Sequence, residues 1–206
     1  MKTTFLYFVK YPTPGKVKTR LAKSIGDDKA AEIYNALAKD TLGKLSTGLN
    51  EDVSITIYFD PPNQEQEIKD WLPGNFNYLA QEGSDLGKRL QFGFSQSFQA
   101  GADHVIALGS DVLGFEASLR DKAVEELKNS DVVIGPCQDG GYYLIGLSQD
   151  CPTFFENIPW STEKVLDLTL QVAQQKNLNP ILINELEDLD EIEGLEKNKK
   201  LIESIL

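Results

Sequence analysis

Short runs of β-branched and aromatic residues alternate along this chain with longer segments of helical period, and that alternation limits its fold more than any other feature. The strand-like runs are Thr4–Val9, Val53–Phe59, Asn77–Gln81, His104–Leu108, Asp131–Gly135, Tyr142–Gly146 and Pro180–Ile183. Between them, Asp85–Gln99 sets Leu86, Leu90, Phe94 and Phe98 on one helical face. Asp27–Leu45, Glu116–Lys128 and Ser161–Lys176 show similar spacing, and the last opens on Ser161-Thr162-Glu163, which has N-cap chemistry. Strands alternating with helices of this length imply crossover connections. The expectation is therefore α/β: a mainly parallel mixed sheet covered on both faces, three layers α/β/α, in a single domain over residues 1–206. Only Pro136–Gly141 separates the fifth run from the sixth, too little for a helix, so one strand there should run against the others.

The 206 residues are 41% hydrophobic and 25% charged, enough for a core and ordinary for a globular chain. The apolar run Phe5–Val9 is too short for a signal-peptide core and far too short to span a bilayer. Cys137 and Cys151, with no Cys-x-x-Cys and no nearby histidine pair, exclude a structural zinc site; a chain of this size does not need the disulfide they could form, and they read as reduced thiols of a cytoplasmic protein. A net charge of −12 argues against nucleic acid or an anionic membrane as the main partner. The charge is unevenly spread: residues 1–30 hold seven Lys or Arg and two Asp, a balance of +5, which leaves −17 for the rest. Such a basic island suggests a local anion site, although composition alone favours a chance cluster of solvated lysines.

The island occupies Lys10-Tyr-Pro-Thr-Pro-Gly-Lys-Val-Lys-Thr-Arg-Leu21, directly after the first strand. Two prolines and a glycine make a stiff turn, and a helix can begin near Val17 or Lys18. Ligands of parallel sheets bind beyond the carboxyl ends of strands, which is where this loop lies. Backbone N–H groups at the helix start, with Lys16, Lys18 and Arg20, would surround a phosphate; the competing reading is a basic surface turn. Neither a Walker A loop nor Gly-x-Gly-x-x-Gly is present. The strand from His104 ends in Gly109-Ser110-Asp111, where a carboxylate suits Mg²⁺ or Mn²⁺ beside a diphosphate but equally suits an Asx turn. In Gly135-Pro-Cys-Gln-Asp-Gly-Gly-Tyr-Tyr-Leu-Ile-Gly-Leu147, Asp139 and two glycines let a ligand approach the backbone, and Tyr142 and Tyr143 offer aromatic faces or hydroxyls. A tight Asp-Gly hairpin accounts for part of that segment. Glu185–Glu196 holds seven acids and no base; it reads as solvated, with Asp188-Leu-Asp190 available as metal carboxylates.

Six segments occur in order: the Lys10–Leu21 loop, Gln81-x-Gly-x-Asp-Leu-Gly-x-Arg-Leu90, Gly109-Ser-Asp111, Gly135–Leu147, Trp160-Ser-Thr, and Asp188-x-Asp190. Together they resemble the glycosyltransferase-like family with a nucleotide-diphospho-sugar transferase (GT-A) fold. Some of its members are glycosyltransferases associated with arsenosugar biosynthesis. The chain is more distantly similar to phospholactate and molybdenum-cofactor guanylyltransferases. The resemblance implies a nucleotide held by Lys10, Pro14, Gly15, Lys18, Arg20, Gln81, Gly87, Arg89 and Ser110. It implies Mg²⁺ or Mn²⁺ on Asp111 and Asp190, an acceptor near Gly140, Gly141, Tyr142 and Trp160, and Asp139 as an acceptor-side base. Two motifs depart from the family pattern. Gly-Ser-Asp continues as Val112-Leu113-Gly114 where the family has Cys-Pro, and the final motif has Gly194 where the family has Asp.

The leading expectation is metal-dependent glycosyl transfer from a nucleotide-diphospho-sugar to a small-molecule acceptor. Nucleotidyl transfer from an NTP to a phosphorylated acceptor, releasing pyrophosphate, is the nearest rival. A non-catalytic nucleotide-binding protein is the third reading.

Overall fold

The computed structural model describes residues 1–206, the side chain of Asp188 excepted, so the Asp188 member of the Asp188–Asp190 pair lies outside the described residues. In chain order the elements are β1 (Thr3–Lys10), α1 (Thr19–Ile25), α2 (Asp27–Ser46), β2 (Val53–Asp60), α3 (Glu65–Trp71), β3 (Asn77–Ala80), α4 (Leu86–Gln99), β4 (His104–Gly109) and β5 (Val112–Leu113). They continue with α5 (Ala117–Glu126), β6 (Val132–Pro136), β7 (Tyr142–Leu147), a 3₁₀ turn (Pro152–Phe155), α6 (Val165–Gln175), β8 (Pro180–Leu182), β9 (Glu187–Asp188), α7 (Ile192–Lys197) and α8 (Lys199–Ile205).

Seven strands form one sheet in the order β3-β2-β1-β4-β7-β6-β8. Only β7 is antiparallel to its neighbours β4 and β6, as the short connection before it requires. Strand β1 is buried on both faces, and its alternating side chains enter two different layers. Phe5, Tyr7 and Val9 pack with Leu42 and Leu45 of α2, Ile68 of α3 and Leu119 of α5. Leu6 faces the opposite layer, with Leu90 and Phe94 of α4, Phe154, and Ala173 of α6. The sheet is thus covered by helices on each side, the three-layer arrangement expected. Truncating a fully buried side chain such as Phe94 would cost about 3–5 kcal/mol.

The connectivity places the site. From β1 the chain adds β2 and β3 on one side, then returns to lay β4 on the other, which makes the β1/β4 boundary a topological switch point. The register aligns Lys10 with Asp60 and Phe8 with Gly109, so β1, β2 and β4 finish along one edge. Residues Val112 and Leu113, the departure from the family motif, form β5 and pair antiparallel with β9. That pairing carries Asp190 beside Asp111.

Two helix starts differ from the sequence reading. Lys18 adopts the left-handed conformation (φ 46°, ψ 43°), which delays α1 to Thr19. Ser161 is also left-handed (φ 63°), and the Thr162 hydroxyl donates to Pro159 O at 2.8 Å, so the Ser161-Thr162-Glu163 segment is a turn and α6 begins at Val165. The short elements α3, β5, β9, α7 and α8 had no counterpart in the periodicity. No helix of the described residues is long and apolar enough to cross a membrane.

Candidate functional site

A cleft of about 830 Å³ opens at the carboxyl edge of β1 and β4. Of the residues expected to bind nucleotide or metal, Lys10, Lys18, Arg20, Gln81, Arg89, Ser110, Asp111 and Asp190 line it, as does Asp139. Its β1 side is built by the basic loop. Thr13-Pro14-Gly15-Lys16 is a turn with proline at the second position and glycine at the third (φ +75°), closed by Lys16 N–H donating to Thr13 O at 3.0 Å, the pattern of a type II turn. Pro14 and Gly15 therefore shape the exposed tip and do not line the cleft. Val17 anchors the returning chain against Ala31, Tyr34 and Trp71, and the left-handed Lys18 then turns its side chain inward.

The Lys18 ammonium donates to Asp111 Oδ2 and to Asp190 Oδ1, both at 2.9 Å, and its side chain is only 2% exposed. Burial alone would lower the lysine's pKa, but the two carboxylates outweigh it and raise the value, keeping the group charged. Burial likewise pushes the Asp111 carboxyl up, and the Lys18 charge and hydrogen bond, with Lys10, outweigh that and hold it below its usual range. Arg20, largely exposed, reaches within 3.6 Å of Asp190 Oδ2. Non-glycine residues in the left-handed region carry strain that concentrates at functional positions, and Lys18 is such a residue with a buried charge.

Two side chains tie this floor together. The Tyr34 hydroxyl of α2 accepts from Lys10 N–H at 2.9 Å and shares a 2.8 Å hydrogen bond with Ser110 Oγ, in which either hydroxyl can donate. Burial pushes the Tyr34 hydroxyl up to about 12, so it stays protonated. Ser110 is itself buried and serves this link between β1, α2 and β4. Gln81 spends its amide in the same manner. Its Nε2 donates to Val9 O (3.0 Å) and Tyr58 O (2.9 Å), and its Oε1 accepts from Arg89 Nη1 at 2.9 Å. Gln81 thus fastens the ends of β1 and β2 and holds Arg89 at the cleft.

The opposite wall comes from the β6–β7 turn and the segment before α6. Asp139 Oδ1 accepts from Gly141 N–H at 2.8 Å, an Asx turn, and Gly140 holds φ +84°. A Cβ on Gly140 would collide with the Glu163 backbone, and Leu166 N–H donates to Gly140 O at 2.9 Å, so the turn is locked to the start of α6. Gly140, Gly141, Tyr142 and Trp160 lie outside the cleft lining. Tyr142 buries its hydroxyl and meets Trp160 edge-on, ring centroids 6.3 Å apart. Gly87 is a packing residue: a Cβ there would stand 2.5 Å from Trp160 Nε1 and 2.8 Å from Phe155 O. In place of these, Ser161, Thr162 and Glu163 line the cleft. Sequence reasoning assigned them to a helix cap; their adjacency to the Trp160-Ser-Thr motif was the available signal.

No group of three or more His, Cys, Asp or Glu converges among the described residues. Asp111 and Asp190 remain, 45% and 40% exposed and both facing the cleft. An all-oxygen pair of this kind fits a hard divalent cation, which takes its other ligands from phosphate and water. Lys18 between them and Arg20, 3.6 Å from Asp190 Oδ2, already offset their charge, so a bound cation would share the two carboxylates with both.

A family model described as "Uncharacterized protein conserved in bacteria (DUF2064)" matches residues 44–162. A Desulfovibrio desulfuricans G20 protein, provisionally named a nucleotide-diphospho-sugar transferase, is 32% identical, with 100% of this chain and 99% of that chain covered and a TM-score of 0.87. The fold is shared at lower identity with a 4-diphosphocytidyl-2C-methyl-D-erythritol synthase from Anaerococcus prevotii DSM 20548 (13% identical, 97% and 96% covered, TM-score 0.62). It is shared as well with a CMP:2-keto-3-deoxy-manno-octonic acid synthetase in complex with CTP (13% identical, 100% of each chain, TM-score 0.58). None of the curated proteins matches the sequence.

Proposed function

The chain belongs to the DUF2064 family, and from that footing we propose that it is a transferase that moves a sugar from a nucleotide-diphospho-sugar to a small-molecule acceptor. The observation that carries this reading is the polarity of the cleft. Lys10, Lys16, Lys18 and Arg20 stand on its β1 side, and Asp139 and Glu163 stand two strands away on its β6–β7 side. A diphosphate belongs at the first and an acceptor at the second.

On this reading Arg20 and Lys16 bind the diphosphate, and Lys18, fixed by Asp111 and Asp190, supplies positive charge where the leaving nucleoside diphosphate gains negative charge. Preorganisation is the point: the ammonium is already oriented by two 2.9 Å bonds and needs no rearrangement. Arg89, held by Gln81, adds a planar donor on the β2 side. Asp111 and Asp190 would also hold Mg²⁺ or Mn²⁺, which when bound neutralises diphosphate charge. The D. desulfuricans relative, by its name, supports the same class.

The test is incubation with UDP-, GDP- and dTDP-sugars and Mg²⁺ or Mn²⁺, reading nucleoside diphosphate release. Release of that product supports the proposal, and failure of the whole donor panel to bind or react defeats it. Nucleotidyl transfer is the second reading, favoured by one observation: Lys10, Lys16 and Arg20 are three exposed cations, enough for a triphosphate. Pyrophosphate released from an NTP would select it.

A further inference from the structure

The acceptor side of the cleft holds two carboxylates with different freedom. Asp139 has one oxygen committed to Gly141 N–H at 2.8 Å and is part of the turn that it stabilises. Glu163 makes no hydrogen bond or ion pair among the described residues, although it lines the same cleft. Its backbone is nevertheless fixed. Gly140, lacking a Cβ, lies flush against it, Leu166 N–H donates to Gly140 O at 2.9 Å, and Thr162 is tied to Pro159 O at 2.8 Å. The left-handed Ser161 sets the direction in which this segment enters the cleft. A free carboxylate on a rigid mount, opposite a phosphate-binding loop, is the arrangement that general-base chemistry needs.

We propose that Glu163 is the catalytic base that takes the acceptor's proton, and that the acceptor is an uncharged hydroxyl compound. This rests on the glycosyl-transfer reading and narrows it. The acceptor O–H gives its proton to the Glu163 carboxylate as the oxygen bonds to the transferred anomeric carbon. The bond from that carbon to the diphosphate oxygen breaks, its electron pair leaves on the nucleoside diphosphate, and Glu163 then returns the proton to water. An acceptor that attacks through a phosphate oxygen has no need of such a base, and the charge of any phosphorylated acceptor would be repelled by Asp139 and Glu163 together.

The experiment compares Glu163→Gln, Asp139→Asn and the unaltered protein, with a neutral alcohol and its phosphorylated counterpart as acceptors. Asparagine at 139 keeps an oxygen for Gly141 N–H, and glutamine at 163 keeps size while losing basicity. We expect Glu163→Gln to lower kcat at least about 100-fold with donor Kd unchanged by calorimetry, to lose the acidic limb of the rate profile, and the unaltered protein to prefer the neutral alcohol. Retention of kcat within about threefold from about pH 5 to 9 by Glu163→Gln overturns the assignment while leaving sugar transfer standing. Loss confined to Asp139→Asn overturns it in favour of Asp139. Preference for the phosphorylated acceptor overturns the acceptor class. An unaltered protein that binds no donor removes the reading beneath it.

Discussion

The Lys18 ammonium stands 2.9 Å from the Asp111 carboxylate, joining the loop after β1 to the end of β4 across the switch point of the sheet. A single buried cation thus links two strands, and Asp190 closes the link from the C-terminal region at the same distance.

Lys18→Met would remove that cation and leave two carboxylates facing one another. Breaking a fully buried pair costs about 3–5 kcal/mol; because both acids are partly exposed, the expected loss is nearer about 1–2 kcal/mol. Urea unfolding would read it. Nucleotide affinity should fall by at least about tenfold, more than the stability change explains.

Asp111 gives the stability curve a definite sign. Its folded pKa lies below the unfolded one, so its contribution is complete above the ordinary carboxylate range and disappears as pH falls through the depressed value. Asp111→Asn should therefore be less stable than the unaltered protein near neutrality, with the difference narrowing under acid. Urea midpoints from about pH 7 down to about pH 3 would show the convergence.

Much of this arrangement could be read from the chain. The unbroken apolar Phe5–Val9 run and the Leu86–Phe98 series announce a strand buried on both faces and an amphipathic helix, because a strand covered on each side carries no polar alternation and a helix face repeats at near four. The loop after β1 was legible through Pro14, Gly15 and its lysines. Less legible was anything decided by backbone conformation or distant pairing. Nothing in a Ser-Thr-Glu string distinguishes a helix cap from a turn whose serine is left-handed. Nothing local says that Val112-Leu113 pairs with Glu187–Asp188, yet that pairing brings Asp190 to Lys18. Nothing local says that Gln81, which lines the cleft, also ties the ends of β1 and β2, or that Gly87 lies outside the lining and makes room for Trp160.

Gln81→Leu tests the first of these. It strands the Val9 and Tyr58 carbonyls and releases Arg89, so we expect a loss of about 1–3 kcal/mol in unfolding free energy. Donor affinity should weaken about as much as in Arg89→Ala, since both act through the same guanidinium. A double variant should then be little worse than either single one in donor binding.

Gly140→Ala tests the mount of the proposed acceptor wall. A methyl group there meets the Glu163 backbone and the residue must hold φ +84°, so destabilisation of about 1–3 kcal/mol is expected. The transfer rate should drop while nucleotide affinity is kept, because the basic loop is on the far wall. Calorimetry beside steady-state rates separates the two.

If a nucleotide diphosphate sits on the Lys10–Leu21 loop, as proposed, a thermal titration will register it. Nucleoside mono-, di- and triphosphates and nucleotide sugars would be titrated with Mn²⁺ against the unaltered protein and Arg20→Ala. Ligand binding to the folded state alone must stabilise it, by about 2.7 kcal/mol at a hundredfold excess over Kd. We expect a concentration-dependent rise in Tm for the diphosphate-bearing ligands, at least about tenfold weaker in Arg20→Ala, whose unliganded Tm is unchanged. No rise with any nucleotide, or an equal rise in Arg20→Ala, would contradict it.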